Sequence, residues 1–109
     1  MTEISKAPLQ PAALDLVFHA LADPNRRAMV ERLSRGPASV KELARPSGMP
    51  LPSALKHLKV LETGGIVSSE KVGRVRTYRV QSHALERVEM WVAERKRNWN
   101  SANLAGPNT

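Results

Sequence analysis

The stretch PLPSALKHLKVLETGGIVSSEKVGRVRTYRV, residues 50–80, decides the fold. From Leu51 or Pro52 to about Glu62 the apolar residues Ala54, Leu58 and Leu61 return at helical spacing, leaving Ser53, Lys56, His57 and Lys59 on the other side. Gly64-Gly65 ends that helix, because paired glycines favour the left-handed turn that stops it. Two short β-rich runs follow, Ile66 to Lys71 and Val75 to Val80, around Val72-Gly73-Arg74. A glycine between such runs reads as a hairpin turn. A basic helix followed by a basic hairpin has the shape of an element that enters the DNA major groove, with a wing beside it.

Upstream, Ser39 caps a short helix and Glu42, three residues on, completes a capping box, with Val40, Leu43 and Ala44 turned inward. Arg45-Pro46-Ser47-Gly48 ends this helix, since Pro46 disfavours helical backbone at Arg45. Two short helices around a glycine-containing turn make a helix-turn-helix. Further upstream, Pro11 opens a first helix, on which Leu14, Val17, Phe18 and Leu21 form an apolar face. Asp23-Pro24 restarts the helix as cap and first residue. This second helix runs to about Arg35, with Ala28, Met29, Val30 and Leu33 inward, and Gly36-Pro37 stops it. Downstream, Ser82 caps a last helix over roughly residues 83–100, on which Leu85, Val88, Val92 and Trp99 form a stripe with Trp91 beside it. The expected organisation is a flexible arm over 1–10, one winged-helix domain over 11–100 and a disordered tail over 101–109. The expected fold class is mainly α with a small β-hairpin.

A chain of 109 residues offers little to cover two apolar terminal helices. A symmetric homodimer is the natural solution, with Leu14, Val17, Phe18, Leu85, Val88, Trp91, Val92 and Trp99 as its candidate interface.

The net charge of +7 is unevenly spread. Residues 41–79 carry eight basic side chains against three acidic ones, while the segments before and after are each net +1. A polyanion partner fits this distribution better than a uniformly solvated basic surface does. There is no cysteine, which removes disulfides, thiolate metal sites and cysteine nucleophiles together. No apolar run approaches the ~20 residues that span a bilayer, and MTEISKAPLQP lacks the basic and apolar regions of a secretory signal. The cytoplasm is the expected location. No phosphate-binding glycine loop or catalytic constellation is visible, so an enzyme is not expected. Tyr78 is the only aromatic in the strands, which argues against a stacking platform for RNA. A non-specific architectural binder of nucleic acid is the alternative, because the same wing would grip any duplex.

The chain resembles the ArsR-type winged-helix repressors over residues 14–100. The strings that carry the resemblance are FHALADPNRRAMVERL (18–33), SVKEL (39–43), ALKHLKVLETGGIV (54–67) and GRVRTYRV (73–80). With a Trp-containing last helix and no cysteine, it looks like the subgroup without metal-binding cysteines. The resemblance implies a homodimer built on the first and last helices, binding an inverted-repeat operator and repressing transcription, often of its own gene. The pattern departs where members often open the recognition helix with Ser-Gln. Here Pro50 and Leu51 stand instead, and Leu55 replaces another family serine. Leu51 or Leu55 either touches a thymine methyl or packs inward.

The candidate DNA contacts are Ser53, Lys56 and His57 for base edges or nearby phosphates, and Lys59 for phosphate. Lys41 meets phosphate at a helix N-terminus. Arg74 and Arg76 reach the backbone or minor groove from the wing, while Arg79 follows them or stays on the strand surface. No metal site or cofactor is expected: His19, His57 and His83 are scattered, and His83 with Glu86 is a surface pair at a helix start. An unidentified small-molecule effector stays open, because Met90, Trp91 and Trp99 either line a pocket between subunits or form plain dimer core.

Overall fold

The computed structural model describes residues 13–105, with side chains through Asn103. The elements run α1 (13–21), α2 (Pro24–Leu33), β1 (Ala38–Ser39), α3 (Val40–Ala44), a 3-10 turn (Arg45–Ser47), α4 (Leu51–Thr63), β2 (Val67–Val72), β3 (Val75–Val80) and α5 (Ser82–Ala105). The expected arm over 1–10, the helix opening at Pro11 and the last four residues of the tail lie outside the described residues.

Local chemistry sets each boundary of the helix-turn-helix. The Asp23 carboxylate accepts the Arg26 backbone N–H at 3.0 Å, and Pro24 occupies the first turn of α2. At α3, the Ser39 N–H donates to Glu42 Oε1 at 2.8 Å, while the Glu42 N–H donates to Ser39 Oγ at 3.3 Å. Both carboxyls are consequently held below their ordinary range. The main cause is the backbone N–H that each accepts, from Arg26 at Asp23 and from Ser39 at Glu42. Helix α4 ends in a Schellman motif: Ile66 N–H donates to Leu61 O at 3.0 Å and Gly65 N–H to Glu62 O at 2.9 Å. Gly65 takes a φ of 75°, which an L side chain strains to adopt, and Ile66 is thereby turned fully into the core.

The core is continuous from α1 to α5. Leu58 and Leu61 of α4 are buried beside Val17 and Ala20 of α1, Met29 and Leu33 of α2, Leu43 and Ala44 of α3, Tyr78 of β3 and Ala84 of α5. The approach of α1 to the end of α4 is so close that a Cβ on Gly64 would lie 3.0 Å from the Leu16 carbonyl oxygen.

Arg26 ties this arrangement together. Its Nε donates to the Ala20 carbonyl at 2.8 Å and its Nη2 to the His19 carbonyl at 3.0 Å, while Nη1 lies 3.4 Å from His57 Nδ1 on α4. Arg27 adds a bond from Nη1 to the Leu21 carbonyl at 2.8 Å. Of the carbonyls that close α1, that of His19 also accepts the Ala22 N–H at 3.2 Å, and two arginines of α2 supply the donors to Ala20 and Leu21.

The wing is an antiparallel hairpin in register from Val67 opposite Val80 to Val72 opposite Val75. Gly73, at φ 64°, opens its two-residue connection, as expected of a turn with its first central residue left-handed. A third strand escaped the sequence reading: Ala38 and Ser39 pair with Tyr78 and Thr77, giving the order β1-β3-β2. Two residues are too few to show an alternating pattern.

Other expectations are corrected. Helix α2 ends at Leu33, where Ser34 caps it, rather than near Arg35. Ala28 is exposed, because the line through Met29 and Leu33 fixes the buried face about 100° away from it. Ile66 precedes the strand instead of opening it. The last helix does not stop near Asn100 but runs to Ala105, so residues 101–105 are not a disordered tail. The breakers Gly106 and Pro107 come only after that point, and Ser101, Ala102, Asn103 and Leu104 contain neither glycine nor proline.

Replacing Arg26 with Met keeps the aliphatic stem and removes the fork, and should lower the unfolding free energy by about 2 kcal/mol in urea titrations. Asp23 and Glu42 ionise more readily in the folded chain than in the unfolded one. Their contribution is therefore present above the unfolded pKa and is lost as the pH falls through the depressed folded value. Acid unfolding followed by circular dichroism should show a shallower acid limb for Asp23→Asn with Glu42→Gln than for the parent chain.

Candidate nucleic-acid interface

Burial of Ala54, Leu58 and Leu61 fixes the rotation of α4 about its axis. The opposite line, spaced at helical intervals, is Pro52, Lys56, Lys59 and Thr63, all exposed. Ser53 is exposed on the flank of that line. Pro52 and Thr63 were not singled out from the sequence, although counting from the buried line places them there. Leu51 and Leu55 are 38% and 46% exposed, so the inward alternative for both is set aside within the protomer. They offer apolar atoms at the surface of the helix.

His57 is placed differently from Lys56. Its side chain is about four-fifths covered, with Nδ1 3.9 Å from Asp23 Oδ2 and 3.4 Å from Arg26 Nη1. The ring is held between α4 and the start of α2, which gives it a docking role inside the protomer. Lys41, in the first turn of α3, is exposed.

Wing residues directly opposite each other project from the same face of the hairpin. Arg76 therefore shares a face with Lys71, Ser69 and the buried Tyr78, whereas Arg79, opposite Ser68, lies on the reverse face with Val75 and Thr77. Arg74 stands in the turn. All three arginines are exposed, and Arg76 Nη1 donates to Ser69 Oγ at 2.9 Å. Burial, and then the Glu62 carboxylate, push the Tyr78 phenol upward. The sequence reading placed these arginines on the wing but did not distinguish its two faces.

The terminal helices meet through Phe18 and Trp91, whose ring centroids are 5.6 Å apart at an interplanar angle of 77°. The Arg95 guanidinium lies 4.7 Å over the Trp91 ring. Val17 is removed from the candidate dimer surface: it is 0% exposed and belongs to the protomer's own core, because it faces α4 rather than solvent. Leu14, Leu85 and Val88 are half-buried, whereas Phe18, Trp91, Val92 and Trp99 are exposed. Every side chain from 89 to 102 is exposed, and Trp99 is 68% so. An open groove of about 600 Å³ runs along α5, lined by Leu14, Arg87, Met90, Trp91, Ala93, Glu94 and Arg97. It joins Met90 and Trp91 within one protomer, and Trp99 is not among its lining residues. His83 and Glu86 are both exposed at the start of α5. Among the described residues no group of three or more His, Cys, Asp or Glu side chains is arranged to hold a metal ion. No described helix is long and apolar enough to cross a membrane.

Comparison with known proteins agrees with this geometry. A helix-turn-helix domain family model matches residues 21–70. The HTH-type transcriptional regulator Rv2034 of Mycobacterium tuberculosis is 44% identical over 71 residues, which make up 65% of this chain and 66% of that protein. The crystal structure of the ArsR family transcriptional regulator RHA00566 superposes with a TM-score of 0.79 at 49% identity, covering 84% of this chain and 94% of the other. The solution structure of Mb0332 from Mycobacterium bovis is described as a homodimeric winged helix-turn-helix DNA-binding domain. It matches with a TM-score of 0.67 at 27% identity, over 85% of this chain and 87% of the other. Taken with the helix-turn-helix, the three-stranded sheet and the uncovered last helix, these likenesses show that the chain belongs to the ArsR family of transcriptional regulators, which are winged helix-turn-helix proteins and not enzymes.

Proposed function

We propose that the protein is a homodimeric, sequence-specific repressor that binds an inverted-repeat operator in double-stranded DNA, regulates its own gene and acts in the cytoplasm. The observation that carries this reading is the outward line of α4. A helix whose apolar side is fully used in the core presents Lys56 and Lys59, with Ser53 beside them, and a basic wing follows at once. Lysine and serine supply donors to base edges or phosphates, and the exposed Leu51 and Leu55 supply apolar surface for thymine methyls. Lys41 and Arg74 add positive charge for the backbone, and Arg79 does so from the reverse face of the hairpin. The proposed contact set leaves out His57, whose ring lies against Asp23 and Arg26.

Specificity requires two copies. A single α4 reads only a few base pairs, and a two-fold pair of such helices would engage major grooves ~34–36 Å apart. The exposed Phe18, Trp91, Val92 and Trp99, with the half-buried Leu14, Leu85 and Val88, form an apolar surface that a second copy would cover. Residues 13–105 thus serve both DNA binding and dimerisation. An unidentified small-molecule effector would act through α1 and α5, where the groove beside Trp91 lies.

Fluorescence anisotropy with DNA flanking the protein's own gene, beside a scrambled duplex, tests the reading. Specific binding should exceed scrambled binding by at least ~10³, whereas equal binding would favour a non-specific duplex binder. Arg74→Ala with Arg76→Ala should weaken both duplexes and reduce the salt slope by roughly 0.9 for each phosphate that is no longer neutralised; an unchanged slope would reject the wing assignment. Trp99→Glu should convert the dimer to monomer in sedimentation velocity and reduce operator affinity by at least ~10-fold. A variant that stays dimeric would exclude Trp99 from the interface.

A further inference from the structure

The wing is linked to the recognition helix by a chain of three polar side chains. Ser69 Oγ on β2 donates to Glu62 Oε2 on the last turn of α4 at 3.0 Å, and Arg76 Nη1 on β3 donates to the same Ser69 Oγ at 2.9 Å. One hydroxyl thus accepts from a cation and donates to an anion on different elements. The side chains of Arg74 and Arg79, the other wing arginines, make no hydrogen bond or ion pair among the described residues.

We propose that Glu62 and Ser69 are positioning residues for DNA binding, which hold Arg76 in place so that the wing presents a preset phosphate ligand at a fixed distance from the recognition helix. The inference rests on the reading that the wing meets DNA, and it names which side chains set the wing's geometry there. Three features support it.

The first is pairing. Arg76 lies directly opposite Lys71, and like charges in that position repel. Leaning diagonally towards Ser69, which lies opposite Tyr78, carries the guanidinium away from Lys71 and towards the carboxylate of Glu62. The second is donor arithmetic. A guanidinium has five N–H donors in a planar fork, and Arg76 spends one on Ser69, so the others remain for phosphate oxygens while the tether is in place. The third is placement. Ser69 and Glu62 are half-buried beside Tyr78, whereas Arg76 is exposed. The support is shielded from water and the working end is not. An arginine ordered before binding loses less conformational freedom on contact, so the advantage appears directly in affinity.

The test uses the full chain, with anisotropy on a short random-sequence duplex at low salt. A backbone contact needs no operator. Ser69→Ala should weaken binding about fivefold, the size of effect expected from ordering one long side chain, and Ser69→Thr, which keeps the hydroxyl, should restore it. In an Arg76→Ala background Ser69→Ala should have no further effect, whereas in an Arg74→Ala background its full effect should remain. A purely structural role for Ser69 would give the same reduction in both backgrounds, and that result would overturn the proposal, as would parent-like affinity of Ser69→Ala. Nitrogen relaxation of the Arg76 Nε–H in the DNA-free protein gives a second reading: its mobility should rise in Ser69→Ala, and unchanged mobility would overturn the tether independently of any DNA result. Should the parent chain bind no duplex at all, the DNA-binding reading and the role of the tether in it would both fall, and the relaxation data would show whether the tether itself exists.

Discussion

The satisfaction of a helix end by side chains of the next helix is the constraint on which the remaining architecture depends. Helix α1 ends at a junction packed against α4, where its own last turn supplies the Ala22 N–H to the His19 carbonyl but no donor to those of Ala20 and Leu21. Arg26 and Arg27 of α2 supply the donors. Only a guanidinium has the fork to bond two successive carbonyls and still reach a third partner, and that partner is His57 of α4. The consequence is that α1, α2 and the recognition helix form one packed body. Arg26 and the close approach at Gly64 thus join α1 to α4 by two separate contacts. The same clamp takes His57 away from the outer surface, even though it stands next to Lys56 in sequence.

Much of this was legible in the sequence where one-dimensional signals are strong. The capping pair Ser39 and Glu42, the Asp23-Pro24 restart, the Gly64-Gly65 stop and the period of Ala54, Leu58 and Leu61 each express a local rule, and each appears as a local structure. What was not legible depended on contacts distant in the chain. Nothing near Ala38 announces a strand, because its partner Tyr78 is forty residues away. Arg26 reads as one more surface charge until the end of α1 is placed beside it. Val17 and Phe18 look alike on an apolar face, yet Val17 fills the core while Phe18 stays outside against Trp91. The face of the wing to which each arginine belongs follows from register, and register becomes readable only once strand pairs are known.

The last helix shows how a weak stop signal misleads. Polar Ser101 and Asn103, with Gly106 and Pro107 beyond them, suggested a tail from residue 101, but polarity does not end a helix; unsatisfied carbonyls or a backbone that cannot take helical angles do. With 24 residues α5 is ~36 Å long, and its side chains from 89 to 102 are all exposed in the protomer. An uncovered helix of that length with Trp91, Val92 and Trp99 on adjoining positions is unfavourable in water. A second copy is the cover that the proposed function assigns, and the Phe18–Trp91 contact brings α1 into the same surface.

Under the proposed function, protein–DNA recognition needs a rigid reader and a well-placed grip, and this chain would divide the two tasks between different chemistry. The reader α4 is fixed by apolar burial on one side and by the clamp at His57 on another, so its exposed lysines have a defined line. The grip is a hairpin whose end has no core of its own: Val72 and Val75, at its tip, are 67% and 55% exposed. Burial does not orient such an element, and backbone pairing within a two-stranded ribbon leaves it free to bend. Polar links to the body of the domain are then what remains to fix it. On the inner face that link is Glu62, Ser69 and Arg76; nearer the base, Gln81 Nε2 donates to Ser68 Oγ at 2.6 Å and the Gln81 N–H to the Ile66 carbonyl at 2.7 Å. Both faces of the hairpin are thus tied near its root and its tip is left untied, the arrangement that the proposed function asks of an arm that would keep its direction while Arg74 at the tip adapts to the local path of a DNA backbone.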